Sequence, residues 1–127
     1  MNPEKVFFGF FIVMALSLNF GFFLGEMDNP DHHDVYELAA AIFVNVFATI
    51  LKLGDRSQVG AVLLATSLAA DLQLLVAALI WTIAMHVEQT GLTSSVMASI
   101  VSLSGGALVA NIVSVVQLVV DTATLRR

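Results

Sequence analysis

Four long apolar stretches, at about residues 6–25, 38–53, 59–87 and 96–120, dominate the chain, separated by short polar interruptions. They are continuous runs rather than alternations of polar and apolar residues. That excludes a membrane-spanning barrel, whose strands alternate over roughly ten residues. Helices are then the way to satisfy every backbone amide in lipid. Crossing the hydrocarbon takes roughly 20 helical residues, so each run predicts a transmembrane helix, the second short and the third long enough to tilt or protrude. The interruptions are an acidic loop from Glu26 to Glu37, a tight turn at Gly54-Asp55-Arg56-Ser57, and a polar loop from Glu88 to Ser95. Connections this short make sequential helices antiparallel neighbours. The predicted fold is all-α: a polytopic, four-transmembrane-helix bundle forming one domain over residues 1–127, with no repeat and no linker.

The positions of the bases add an orientation. Lys5, Lys52, Arg56, Arg126 and Arg127 are the only Lys and Arg present, and a four-span arrangement puts all of them on one side. By the positive-inside rule that side is the cytoplasm, and it holds both termini. The opposite side carries Glu26, Asp28, Asp31, Asp34, Glu37 and Glu88, with His32, His33 and His86. Composition agrees with membrane residence: 58% of the 127 residues are hydrophobic, 12% are charged, and the mean hydropathy is +0.92. A water-facing surface needs about twice that share of charge. The net charge of −5 argues against nucleic acid and anionic headgroups as partners. The first run is too long for a signal-peptide core and ends without a small-x-small cleavage site, so it is read as a retained helix.

Polar residues inside the spans are the informative ones. Asp71 is the only ionisable residue deep within a span, near the middle of the third. An ionised carboxylate there costs about 2.5–3.5 kcal/mol on insertion scales. It is therefore expected to face protein or water, or to carry a proton, acting as an ion-binding or proton-carrying group. The plainer reading is a helix–helix hydrogen bond to Asn45 or Asn111. On the second helix Ala41, Asn45, Thr49 and Lys52 recur at helical spacing, a stripe that lines a water path or glues two helices. On the fourth, Ser95, Ser99, Ser102, Gly106, Ala110 and Gln117 share one face, with Ser114 and Asp121 at its edge, while Ser104 and Asn111 lie opposite. Gly105-Gly106 midway along is expected to kink the helix or to pack it closely. Ser17, Gly21 and Gly25 form a small-residue ridge on the first helix, with Asn19 beside it. Asn45, Asp71, Gln73, Ser99, Ser102, Gly105, Gly106 and Asn111 make up the expected ion pathway.

The loop Glu26-Met27-Asp28-Asn29-Pro30-Asp31-His32-His33-Asp34 holds the only cluster of metal-ligand residue types. It lacks an i, i+4 histidine pair, and no metal site is assigned. Asn29 or Asp28 suits a helix cap, Pro30 a first turn, and Asp31 and Asp34 the positive end of a helix. Functionally, Glu26, Asp28, Asp31, His32, His33, Asp34 and Glu37 would form an acidic outer mouth that concentrates cations, or a proton sensor on the two histidines. There is no phosphate-binding glycine loop, no His-Glu-x-x-His and no cysteine, and His86 sits only at the outer edge of its span, so neither an enzyme nor a cofactor is expected.

The stretch from Asn45 to Arg56, continuing through Val59 to Ser67, resembles a family of small bacterial inner-membrane proteins catalogued as a domain of unknown function. The resemblance implies a bacterial inner membrane and assigns no activity. Two functions are weighed: a homo-oligomeric cation or proton pathway through Asp71, and a non-conducting accessory subunit of a larger membrane transporter.

Overall fold

The computed structural model describes residues 3–125. Arg126 and Arg127, two of the five bases, lie outside the described residues. Four helices form: α1 (Pro3–Phe23), α2 (Val35–Lys52), α3 (Gln58–Thr82) and α4 (Ser94–Leu125). All four are long and apolar enough to cross a membrane, α3 being prolonged to Val87 by a π-helical turn at Ile83–Val87. The chain is a multi-pass membrane protein. Each helix packs on the next, and α1 packs on α4, so the four stand in a ring in chain order. Lys5 at the start of α1 reaches Asp121 near the end of α4, 3.8 Å away. The start of α1 and the last turns of α4 thus meet at one end of the bundle, called the base here.

Buried positions follow one rule on every helix. On α1 they are Phe8, Ile12, Ala15, Asn19 and Phe22. On α2 they fall at Leu38, Ala41, Asn45, Ala48 and Lys52, and on α3 at Gly60, Leu63, Ser67, Ala70, Leu74 and Ala77. On α4 they are Met97, Ile100, Ser104, Ala107, Asn111 and Ser114. These positions step by three and four in turn, the 3.5-residue repeat of knobs-into-holes packing, with Thr49, Asp71 and Val101 buried beside that line. Many of these residues are small, as close packing of helices in lipid requires. Outward positions such as Phe7, Phe43, Leu72, Leu79, Val109 and Val119 are apolar and exposed, the surface a bilayer covers.

Helix ends depart from the predicted bounds for local reasons. The first helix stops at Phe23 rather than 25, because Gly25 takes φ +102 and the ring of His32 lies against it. That removes Gly25 from the small-residue ridge. Ser17 of the ridge is exposed, and Gly21 alone is close-packed, beneath the Glu37 carboxylate. The second helix begins three residues early because Asp34 accepts a hydrogen bond from Tyr36 N and caps it. At the fourth, the predicted stop at 120 gives way to Leu125, and Asp121 sits inside the helix facing Lys5. Of the two expectations for Gly105-Gly106, close packing is the one seen: α4 runs unbroken, and the glycines make room for the Phe23 ring and the Gln73 amide.

Candidate functional site

The heptad positions at mid-depth are polar on all four helices, and their side chains meet in the bundle centre. Ser104 Oγ donates to Asn19 Oδ1 at 2.7 Å, and Asn19 Nδ2 donates to Asn111 Oδ1 at 3.2 Å. Asn111 Nδ2 donates to Asn45 Oδ1 at 2.8 Å, and Asn45 Nδ2 donates to Ala41 O at 2.7 Å. The carbonyl at the end only accepts, so it fixes the orientation of every amide before it. All four side chains are fully buried. The Asn45–Asn111 bond crosses the ring diagonally from α2 to α4. Beside it, Thr66 and Ser114 hydroxyls share a 2.5 Å bond between α3 and α4.

Asp71 stands next to this relay, 8% exposed, on the side of α3 that faces α2. Its Oδ2 is 2.5 Å from Thr49 Oγ1, which also lies 2.9 Å from Asn45 O. Asp71 Oδ1 and Ser67 Oγ are buried without a hydrogen-bond partner. Ser67 precedes Asp71 by one helical turn, so both unsatisfied oxygens lie on one face of α3. Among the described residues no base is ion-paired with Asp71.

Towards the base, the inner face of α3 continues through Leu63 to Gly60. Both line a cavity of about 260 Å³ with Lys5, Lys52, Asp55 and Asp121, where the ends of all four helices come together. Lys52 is 7% exposed; its ammonium lies 3.6 Å from Asp55 and 4.4 Å from the centre of the Phe8 ring. The amide and hydroxyl of Ser57 donate to Asp55, which with Lys52 beside it holds that carboxyl below its ordinary value. At 1.5 Å per residue, Leu63 is about 6 Å along the helix from Ser67 and about 12 Å from Asp71. Phe8, Ile12, Ala15, Ala48 and Leu63 form an apolar cluster between cavity and polar core. A larger cluster, including Phe22, Leu38, Leu74, Met97 and Ile100, covers the other side.

A family model of unknown function matches residues 32–122. The chain belongs to the DUF6394 family. In this DUF6394 chain the match takes in α2, α3 and most of α4, and with them Asn45, Thr49, Ser67, Asp71, Ser104 and Asn111; Asn19 on α1 lies outside it. No curated protein and no solved structure matches the chain.

The expected pathway residues are divided by this geometry. Asn45, Asp71 and Asn111 are together in the interior, but Asn45 and Asn111 bond to each other, and Thr49, not either Asn, bonds to Asp71. Ser99 and Ser102 are exposed on the outside of α4, away from Asp71, because the repeat puts Ser104, Asn111 and Ser114 inward. Gln73 and Gly106 touch at the α3–α4 contact, where Gln73 Oε1 has no partner. Asn19, Thr49, Ser67 and Ser104 complete the core and were not among the expected pathway residues, although Thr49 stood on the polar stripe of the second helix. Their signal was the 3–4 spacing: each lies on or beside a heptad position.

At the far end, the acidic loop is folded by its own polar groups. Asn29 accepts from Asp31 N and caps a single 3-10 turn, Pro30–His32, with proline leading. His32 Nδ1 accepts from Glu26 N at 2.9 Å. His33 is 4% exposed; its ring nitrogens lie 2.5 Å from Phe22 O and 2.7 Å from Glu26 O. A carbonyl oxygen only accepts, so the doubly protonated ring is the form that bonds to both. Phe22 O is one of the last carbonyls of α1, which helix geometry leaves without an amide partner. Glu26, Asp28, Asp31 and Asp34 are exposed around this clasp, whereas Glu37 lies against Gly21. Among the described residues no group of three His, Cys, Asp or Glu side chains is placed to hold a metal.

Proposed function

We propose that this protein is a small, homo-oligomeric membrane protein that carries a cation or proton through the bilayer, with Asp71 as the ion-binding group. The observation that carries the reading is the pair of buried, unpartnered oxygens on α3, Asp71 Oδ1 and Ser67 Oγ. Buried polar groups are nearly always satisfied, and each one left open calls for an explanation such as a water, an ion or a functional role. An acid kept at membrane depth against its insertion cost is a functional group by default. The cavity between Lys52 and Leu63 lies in line with it and serves as the mouth on the side of the termini. That side is cytoplasmic in this proposal, since Lys5, Lys52 and Arg56 lie there and the exposed acidic loop faces out of a bacterial inner membrane. Asn45 and Asn111 then hold the site in shape instead of lining a path.

The test is flux into liposomes containing the purified protein alone. Wild type should pass protons or a monovalent cation down a gradient, and Asp71→Asn should lower the rate at least tenfold. A wild type silent to the common cations and to protons would end this reading.

A second reading has one specific observation behind it. Ser99 and Ser102 are exposed one turn apart on α4, polar groups turned towards lipid. Such a face suits contact with another helix, as an accessory subunit of a larger transporter would make. A stoichiometric larger protein retained through purification from native membranes supports this alternative; a homogeneous self-assembly counts against it.

A further inference from the structure

We infer that the ligand Asp71 holds in this packing is a proton, and that Thr49 and the backbone carbonyl of Asn45 form the relay that keeps it there. The inference rests on the reading of Asp71 as an ion-binding group and names the ion. It follows from counting hydrogens. Thr49 has one hydroxyl proton, yet its Oγ1 lies 2.9 Å from Asn45 O and 2.5 Å from Asp71 Oδ2. If Asp71 were a carboxylate, both neighbours could only accept, and one of the two contacts would set acceptor against acceptor. With a proton on Oδ2, Asp71 donates to Thr49 and Thr49 donates to Asn45 O, so both contacts are hydrogen bonds.

The surroundings agree. Among the described residues no second charged group acts on Asp71, and the other buried polar side chains of the core are neutral: Asn19 on α1, Asn45 on α2, Ser67 on α3, and Ser104, Asn111 and Ser114 on α4. On α2 the nearest base is Lys52, one turn below Thr49, and it is held by Asp55 and the Phe8 ring. A separation of 2.5 Å is that of two oxygens sharing a hydrogen, for which about 2.5–3.0 Å is usual. Metal–oxygen bonds are themselves about 2.0–2.6 Å long, so oxygens sharing an ion stand further apart. Release is equally simple. The proton leaves Oδ2, and the Thr49 hydroxyl turns from Asn45 O to the new carboxylate. One proton departs, and Asn45 O keeps its backbone bond within α2.

Infrared spectroscopy of the protein in liposomes at neutral pH tests this without any flux. Wild type should show a protonated-carboxyl C=O band that shifts in deuterium oxide and is lost in Asp71→Asn. Thr49→Val should move the band to higher frequency, since the acid loses its acceptor; this variant keeps the test open should Asp71→Asn fail to fold. Absence of the band in wild type overturns the inference, as does a band that neither variant changes. The band present in silent liposomes would sink transport alone, and conduction without the band would sink this inference alone.

Discussion

Replacing Asn111 with alanine should be one of the costliest single changes available in α4. Asn111 is fully buried and holds two interhelical bonds, to Asn45 on α2 and from Asn19 on α1. Measured in a membrane protein, such bonds average about 0.6 kcal/mol and reach about 1.7 kcal/mol. Two of them come to about 1–3 kcal/mol, and the Asn19 amide and Asn45 carbonyl left bare in the interior push towards the upper end. The unfolding equilibrium should move by about 5- to 150-fold. Ser99→Ala, on the same helix but exposed, should change it by less than about 0.5 kcal/mol.

Reversible unfolding in mixed micelles of increasing denaturing-detergent fraction, followed by helical circular dichroism, gives both numbers. The Asn45→Ala and Asn111→Ala pair adds a sharper check. The two share one bond, so the double variant should cost less than the two single costs together, by about 0.6 kcal/mol or more. Additive costs, or an Asn111→Ala indistinguishable from Ser99→Ala, would refute the view that this relay ties the helices together.

Two further outcomes are accessible at the ends of the bundle. Asp55 is held below its ordinary value chiefly by the Ser57 amide and hydroxyl, so its stabilising effect is present above the unfolded-state value and lost as pH falls through the lower folded one. Thermal melts at descending pH should therefore show wild type converging on Asp55→Asn in acid; parallel curves would exclude the role. At the loop end the test is the His33 ring itself. His33→Phe should open residues 24–34 to limited proteolysis, and equal protection in both proteins would refute the clasp.

The spans were readable because twenty apolar residues in a row have one economical solution in lipid, and the gathering of bases needed only the count of crossings. Lys5 beside Asp121 is the structural counterpart of that count. The inner face of α4 was harder, since the helix is polar on two sides. An ideal period of 3.6 groups Ser95, Ser99 and Ser102 with Gly106, whereas the 3.5 repeat runs through Met97, Ile100, Ser104, Ala107 and Asn111. The second is buried because three other helices carry the same repeat and only matching seams interlock. Asp71 was recognisable as an expensive residue, but its partner was not. Thr49 and Asp71 lie beside Ala48 and Ala70 rather than on the heptad line, and their meeting depends on how α2 and α3 turn to face each other. The end of α1 was hidden for another reason: the His33 bonds to Phe22 O and Glu26 O come from beyond the helix, across a turn that hydropathy cannot resolve.

The apolar layers around the polar core decide from which side Asp71 can be reached. On the loop side the cover is deep: Phe22, Leu38, Leu74, Met97 and Ile100 are buried together, with Trp81 packed against them. Towards the base, the α3 face between the cavity wall and the unpartnered Ser67 hydroxyl is a single helical turn beyond Leu63, which is 1% exposed. Phe8, Ile12, Ala15 and Ala48 are buried around that leucine, so the base-side cover is three large side chains and two alanines. Parting Phe8, Ile12 and Leu63 is a smaller event than parting five large side chains drawn from four helices. In the proposed mechanism exchange at Asp71 therefore runs by way of the cavity at the base, and the loop-side layer must open in a separate, larger motion for net transport.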